Sequence, residues 1–140
     1  MAEFIMKEQV RRAGLEDQFL ISSAATTTEE LGNDIYPNAK AELKLHGIPF
    51  ERRQARQIKN SDYNDWDFII AMDQENLSDI MYVIGNDPLK KVRLLMSFTG
   101  TSKNNRSVSD PWYTRDFAKA YSDIKLGCEG LLSYLKQQKS

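Results

Sequence analysis

Cysteine and histidine are nearly missing from this 140-residue chain, which holds one of each, Cys128 and His46. A single cysteine excludes an internal disulfide framework, and one histidine leaves little material for a zinc site. An excess of one charge is missing too. Nineteen Lys and Arg stand against 20 Asp and Glu, so nothing at whole-chain level draws the protein to nucleic acid or to an anionic membrane surface. Apolar runs stop at four or five residues, as in FIIAM, well short of the roughly 18 needed to span a bilayer. The start, MAEFIMKEQV, lacks the pattern of a signal peptide. There is no G-x-x-x-x-G-K-[ST], no G-x-G-x-x-G and no metal-ligand spacing, so no metal or cofactor is implied. What remains, 41% apolar and 28% charged residues, is an ordinary globular mixture. The expectation is one soluble, cytoplasmic domain over residues 1–140.

Two periodicities alternate along the chain, which favours an α/β fold. Residues 1–14 place Met1, Phe4, Ile5 and Met6 on one side and stop at Gly14, which predicts a helix of about three turns. Its apolar pattern begins at residue 1 with no capping residue before it, which points to a segment missing upstream. Gln18 to Ser23, QFLISS, reads as a strand entering the polar stretch AATTTEELGND. Asn38 to His46 reads as a helix with Pro37 in its first turn and Gly47 at its end. Ala55 to Ile58 reads as a short strand, and NSDYNDW as a helical turn capped by Ser61 or Asp62. Asp67 to Met72 predicts a strand buried on both faces. Asp73 stands at its carboxyl end, before a helix over QENLSDIMYVIG. Val92 to Phe98 predicts a further strand, and TGTSKNNRSVSD a loop. Phe117, Tyr121, Ile124, Cys128, Leu131 and Leu135 then fall four and three residues apart, the stripe that a helix lays on a sheet, with Thr114 as its cap. Strands alternating with helices imply a parallel sheet covered on both faces, with functional groups beyond its carboxyl ends.

Few residues there carry obvious chemistry. His46 beside Gly47 reads as a structural or merely exposed residue, and Cys128 inside the apolar stripe as a buried, unreactive thiol. The segment SDPWYTRDF is more informative. Asp110 precedes Pro111, so its backbone is held extended and its carboxylate can face forward from a loop. Trp112 and Tyr113 follow on the same loop. They suit either a cover for one end of the core or the wall of a pocket for a flat substrate group.

Several short segments together make a resemblance specific. In order they are MAEFIMKEQV, Ser23-Ala24-Ala25-Thr26, Leu31-Gly32-Asn33, His46-Gly47-Ile48, Ala55-Arg56-Gln57-Ile58, Asp67 through Asp73 with Asn76-Leu77, and Asp110-Pro111-Trp112-Tyr113. A final helix with Leu131-Leu132-Ser133-Tyr134-Leu135 adds to them. The chain resembles the low-molecular-weight protein-tyrosine phosphatases, which are related in fold to some arsenate reductases. The resemblance implies a three-layer αβα sandwich around a short parallel sheet, phosphotyrosine phosphatase I-like. It also implies phosphate monoester hydrolysis through a cysteinyl-phosphate, with no cofactor. In that family a C-x5-R-[ST] loop binds the phosphoryl oxygens and supplies the attacking thiolate. An Asp in D-P-[YFW]-[YFW] protonates the departing phenolate and then helps activate water. By resemblance Asp110 is that acid, and Trp112 and Tyr113 border the phenyl cleft. Ser23 is the hydroxyl that steadies the phosphate loop, and Asp73 supports the same loop electrostatically. Glu29 stands where the cleft often has an aromatic, which would disfavour acidic peptides.

One departure outweighs these matches. Residue 1 falls at the family's first helix, immediately after the phosphate loop, so the first, central strand, the nucleophilic Cys and the phosphate-binding Arg are absent from these 140 residues. Cys128 is no substitute, because the residue six later is Tyr134. The chain alone is therefore expected to be inactive, and its sheet to have open inner edges that invite rearrangement, homo-oligomerisation or another chain. The alternative is a non-catalytic, protein-binding relative completed by a partner, with Arg52, Arg53, Arg56 and Lys59 as a basic patch for an acidic one. The aromatic pair after Asp110 favours a phosphotyrosine protein or aryl phosphate over arsenate as substrate.

Overall fold

The computed structural model describes residues 2–24, 37–50, 56–99 and 117–139. Helix α1, Ala2–Arg12, buries Phe4, Ile5 and Met6 of the face expected of it, and also Val10 and the carboxylate of Glu8. It closes as the sequence indicates. Gly14 takes φ 73, and the Gly14 and Leu15 amides donate to the Arg11 and Val10 carbonyls. That left-handed closure is open to glycine without a Cβ penalty. Helix α2, Pro37–Leu45, ends in the same way at Gly47, with the Ile48 amide donating to the Leu43 carbonyl.

The sheet contains two parallel strands among the described residues, β1 (Ile69–Ala71) and β2 (Val92–Leu94), paired Ile69 to Val92, Ile70 to Arg93 and Ala71 to Leu94. Helix α3, Asp62–Asp65, precedes β1, and helix α4, Gln74–Ile84, crosses over between the strands. Alternation along β1 divides its side chains between two apolar cores. Ile70 and Met72 pack with α1, α2 and the last helix, α5 (Phe117–Lys139), whereas Ile69 and Ala71 pack with Ile58, Tyr63, Ile80, Ile84 and Leu94. A small parallel sheet is thus flanked by helices on both faces, in the αβα arrangement expected. Within α5 the stripe is real: Tyr121, Ile124, Cys128 and Leu131 are buried, and Phe117 and Leu135 are partly so.

Two expected strands are corrected. Gln18 to Ser23 is not a strand: Glu16–Gln18 is a 3-10 turn that ends on the extended backbone of Phe19, and residues 19–24 form no regular element. It keeps strand-like alternation, with Phe19 and Ile21 half-buried on the main core and Leu20 83% exposed. A strand is defined by a hydrogen-bonded neighbour, and among the described residues the only ladder is that of β1 with β2. The strand expected over Val92 to Phe98 stops at Leu94, and Leu95–Thr99 is a 3-10 helix. Hydroxyls cause the change. Ser97 Oγ donates to the Leu94 carbonyl at 2.6 Å and Thr99 Oγ1 to that of Met96 at 2.9 Å, which competes with a ladder. This turn sits against a notch in α5, where a Cβ on Gly130 would lie 2.0 Å from the Phe98 carbonyl oxygen and one on Gly127 2.5 Å from Leu95 Cγ. Of the expected strand Ala55 to Ile58, Ala55 lies outside the described residues and only Gln57 makes an isolated bridge. Of the loop expected over Thr99 to Asp110, Thr99 ends the 3-10 helix and the rest lies outside the described residues. No helix among the described residues is long and apolar enough to cross a membrane.

Candidate active site

At the carboxyl end of β1 the chain turns into α4 at Asp73. Its extended backbone, φ −147 and ψ 175, points the carboxylate back over the helix, where Oδ1 accepts from the Asn76 amide at 2.7 Å. Asp73 is therefore the N-cap of α4, a role favoured for a short carboxylate by the free amides and the dipole there. Beside the first turn of α1, Ser23 Oγ donates to Glu3 Oε1 at 2.6 Å, and Lys7 Nζ donates to Glu3 Oε2 at 2.7 Å. Glu3 escaped the sequence reading. The Lys7 pair, four residues on, is legible as helical spacing, but the Ser23 contact spans 20 positions and has no local signature.

Asp110, Trp112, Tyr113, Glu29, Arg52, Arg53 and Thr114 lie outside the described residues. Of the basic cluster, Arg56 turns inward: its Nη1 lies 3.1 Å from Oδ2 of the buried Asp62, which also accepts from the Lys59 amide at 2.9 Å. Burial alone would raise the Asp62 carboxyl, but these hydrogen bonds and the nearby Arg56 charge hold it below the usual range. Asp62 thus ties the approach of the chain to α3, and Ser61 makes no capping bond. His46 stacks on Tyr121 with ring centroids 3.6 Å apart and holds Glu42 Oε1 at 2.9 Å from Nε2, so it clamps α2 to α5.

Cys128 decides the chemistry available. It is 1% exposed in the apolar face of α5, and burial pushes its thiol up to about 12. A thiol held neutral, with its neighbouring amides committed to helix bonds, is neither a nucleophile nor the base of an oxyanion cradle. Among the described residues, no group of three or more His, Cys, Asp or Glu could hold a metal ion.

The family model "Low molecular weight phosphotyrosine protein phosphatase" matches residues 1–140. The chain belongs to the low-molecular-weight protein-tyrosine-phosphatase family. Within this phosphatase family it is 32% identical over 139 residues to YfkJ of Bacillus subtilis, covering 99% of this chain and 88% of that one. The crystal structure of YfkJ superposes with a TM-score of 0.93 over 99% of this chain and 87% of its own. The phosphatase SP-PTP of Streptococcus pyogenes, 32% identical, gives 0.83 over 96% of this chain and 82% of its own. A Drosophila structure titled arginine phosphatase, 28% identical, gives 0.84 over 96% and 88%. The one cysteine, Cys128, lies in α5, and no C-x5-R occurs in the 140 residues.

Proposed function

We propose that these 140 residues are the scaffold and acid-loop part of a tyrosine phosphatase and do not by themselves hydrolyse phosphate esters. The observation that carries this reading is Cys128, the sole thiol, buried and held protonated. Joined to the family's strand and C-x5-R loop, the chain would supply Asp110 as general acid and then base, with Trp112 and Tyr113 lining the cleft for a phenyl group. Ser23 and Asp73 would support the phosphate loop from the carboxyl end of the sheet. The substrate class is a phosphotyrosine protein or aryl phosphate, for which an aromatic wall is suited. A 140-residue chain of verified mass should show no turnover of a phosphotyrosine peptide, whereas the same chain carrying the family strand and loop ahead of residue 1 should turn it over. Thiol-dependent turnover by the 140-residue chain would defeat the reading, as would preference of the loop-bearing form for a phosphoarginine peptide.

A second reading, a non-catalytic relative completed by a partner chain, is favoured by one observation: Phe19 to Ala24 lies outside any ladder among the described residues, half-buried and exposed positions alternating, with Leu20 exposed. Light scattering separates the two. A stable, folded monomer over a wide concentration range counts against a partner.

A further inference from the structure

The geometry points to a second binding site, a groove between α5 and the turn after β2 that takes an arginine side chain from an extended segment of a partner protein. The groove encloses about 530 Å³ between Ser97–Thr99 on one wall and the α5 face from Leu126 to Gln137 on the other. At 1.5 Å per residue that helical wall is roughly 16 Å long, the reach of about five extended residues. It stands apart from Asp73. Tyr134 of the α5 wall packs on Phe68, just ahead of β1, with centroids 6.0 Å apart, whereas Asp73 follows β1.

The lining favours one kind of ligand. Glu129 is the charged residue among the described residues of the groove, and it is exposed. Among the described residues no cation comes within ion-pairing distance of it, Lys125 one turn back included. A carboxylate only accepts hydrogen bonds. On the other wall Ser97 Oγ gives its proton to the Leu94 carbonyl at 2.6 Å, so it too meets a ligand as an acceptor. Apolar surface lies beside these groups, with Leu126 46% exposed and the rings of Phe98 and Tyr134 tilted at 5.3 Å between centroids. Arg93 steadies the Tyr134 ring, its Cζ 5.2 Å from the centroid, and is itself engaged: Nε donates to the Lys90 carbonyl at 3.1 Å and Cζ lies 5.7 Å from the Phe68 centroid. An arriving arginine satisfies both parts of the lining. Its stem covers Leu126 and Phe98, and its planar fork, all donors, sets two N–H groups on Glu129 and keeps others for Ser97. An anion would face an unpaired carboxylate, and an ammonium lacks the fork.

An amide-resolved NMR titration of the 140-residue chain and of the loop-bearing form tests this. The probe is acetyl-Gly-Arg-Gly-amide, taken to about 10 mM, a range suited to one side chain. Saturable shifts are expected at Ser97–Thr99 and along Leu126–Gln137. The same tripeptide with citrulline, which keeps the shape and loses the charge, should bind about tenfold more weakly. Glu129→Gln should weaken the arginine peptide by a similar factor and leave the urea midpoint unchanged, since the position is exposed. Ser133→Arg, which supplies a guanidinium one helical turn after Glu129, should abolish binding by occupying the carboxylate from within the chain. Absence of saturable shifts in both forms, equal affinity for the citrulline peptide, or undiminished binding by Glu129→Gln would overturn the assignment. Free L-arginine binding as tightly as the tripeptide would overturn a protein segment as the ligand. None of these outcomes bears on the phosphatase reading, which turnover tests separately.

Discussion

The two ends of the small sheet are built differently. At the entry to the strands, polar side chains are spent on the backbone. Asp87 Oδ1 accepts from Tyr63 Oη and from the Lys91 amide, both at 2.7 Å, and Oδ2 from the Val92 amide at 3.1 Å. Tyr63 Oη accepts in turn from the Leu89 amide, and Lys91 Nζ donates to the Tyr63 carbonyl. Asn60 closes α4 by donating to the Val83 and Ile84 carbonyls. At the exit, Asp73 makes one capping bond. The entry is a lattice that fixes register. The exit keeps, in Asp73, a carboxylate with acceptor capacity to spare.

Substitutions at the two ends should therefore separate stability from turnover. The largest effect is expected at the proposed acid: Asp110→Asn in the loop-bearing form should cut kcat roughly 100- to 10,000-fold for a leaving group that needs a proton, and much less for one that does not. Steady-state kinetics with two aryl phosphates reads it, and equal losses for both would remove Asp110 from the acid role. Next comes the notch that seats the turn after β2. Gly130→Ala should lower stability by about 3 kcal/mol, because the new methyl meets the Phe98 backbone oxygen, an overpacking that outweighs the gain in helix propensity. A rise in the urea midpoint would show that the turn is free to move.

At the entry, Asp87→Asn should cost about 2 kcal/mol, since one carboxamide cannot accept from all three donors, with kcat of the loop-bearing form unchanged. Its pH dependence follows from the same contacts. Burial alone would raise the Asp87 carboxyl, but the bonds from Tyr63, Lys91 and Val92 and the nearby Arg93 hold it below the ordinary range. The stabilisation is therefore present above the unfolded value, about pH 4, and is lost as the pH falls through the lower folded value. Acid titration of parent and Asp87→Asn should thus converge below about pH 4, and curves that stay parallel would contradict the contacts. The smallest effect is at the exit. Asp73→Ala should remove about 1 kcal/mol of helix capping, and in the loop-bearing form it should cost more turnover than stability. The reverse balance would reduce Asp73 to a cap.

How much of this was legible varies by residue. Helix α1 with its Gly14 closure, α2 with Gly47 and the stripe of α5 follow from periodicity and glycine position, which are local. The Asp67 to Met72 run gave β1 because a buried parallel strand is marked by its own apolar continuity. Val92 to Phe98 misled, since the hydroxyls of Ser97 and Thr99 and the notch at Gly127 and Gly130 are needed to see that β2 ends early. Asp87 showed no motif, because its donors are collected from α3 and from the turn before β2. Ser23 was marked by the family resemblance, but its bond to Glu3 was not, because the two stand 20 positions apart.

Sequence by itself determined where the long helices lie, where two of them stop, that the one thiol sits on a buried helical face, and that the family's C-x5-R is not among these residues. Those properties depend on neighbours within a few positions of the chain. Tertiary structure alone decided that Phe19 to Ala24 stays outside the ladder of the described strands, that Leu95 turns instead of extending, and that Ser23 spends its proton on Glu3. Each of those outcomes is set by which distant backbone or side chain arrives within hydrogen-bonding reach, and spacing along the chain does not encode that distance.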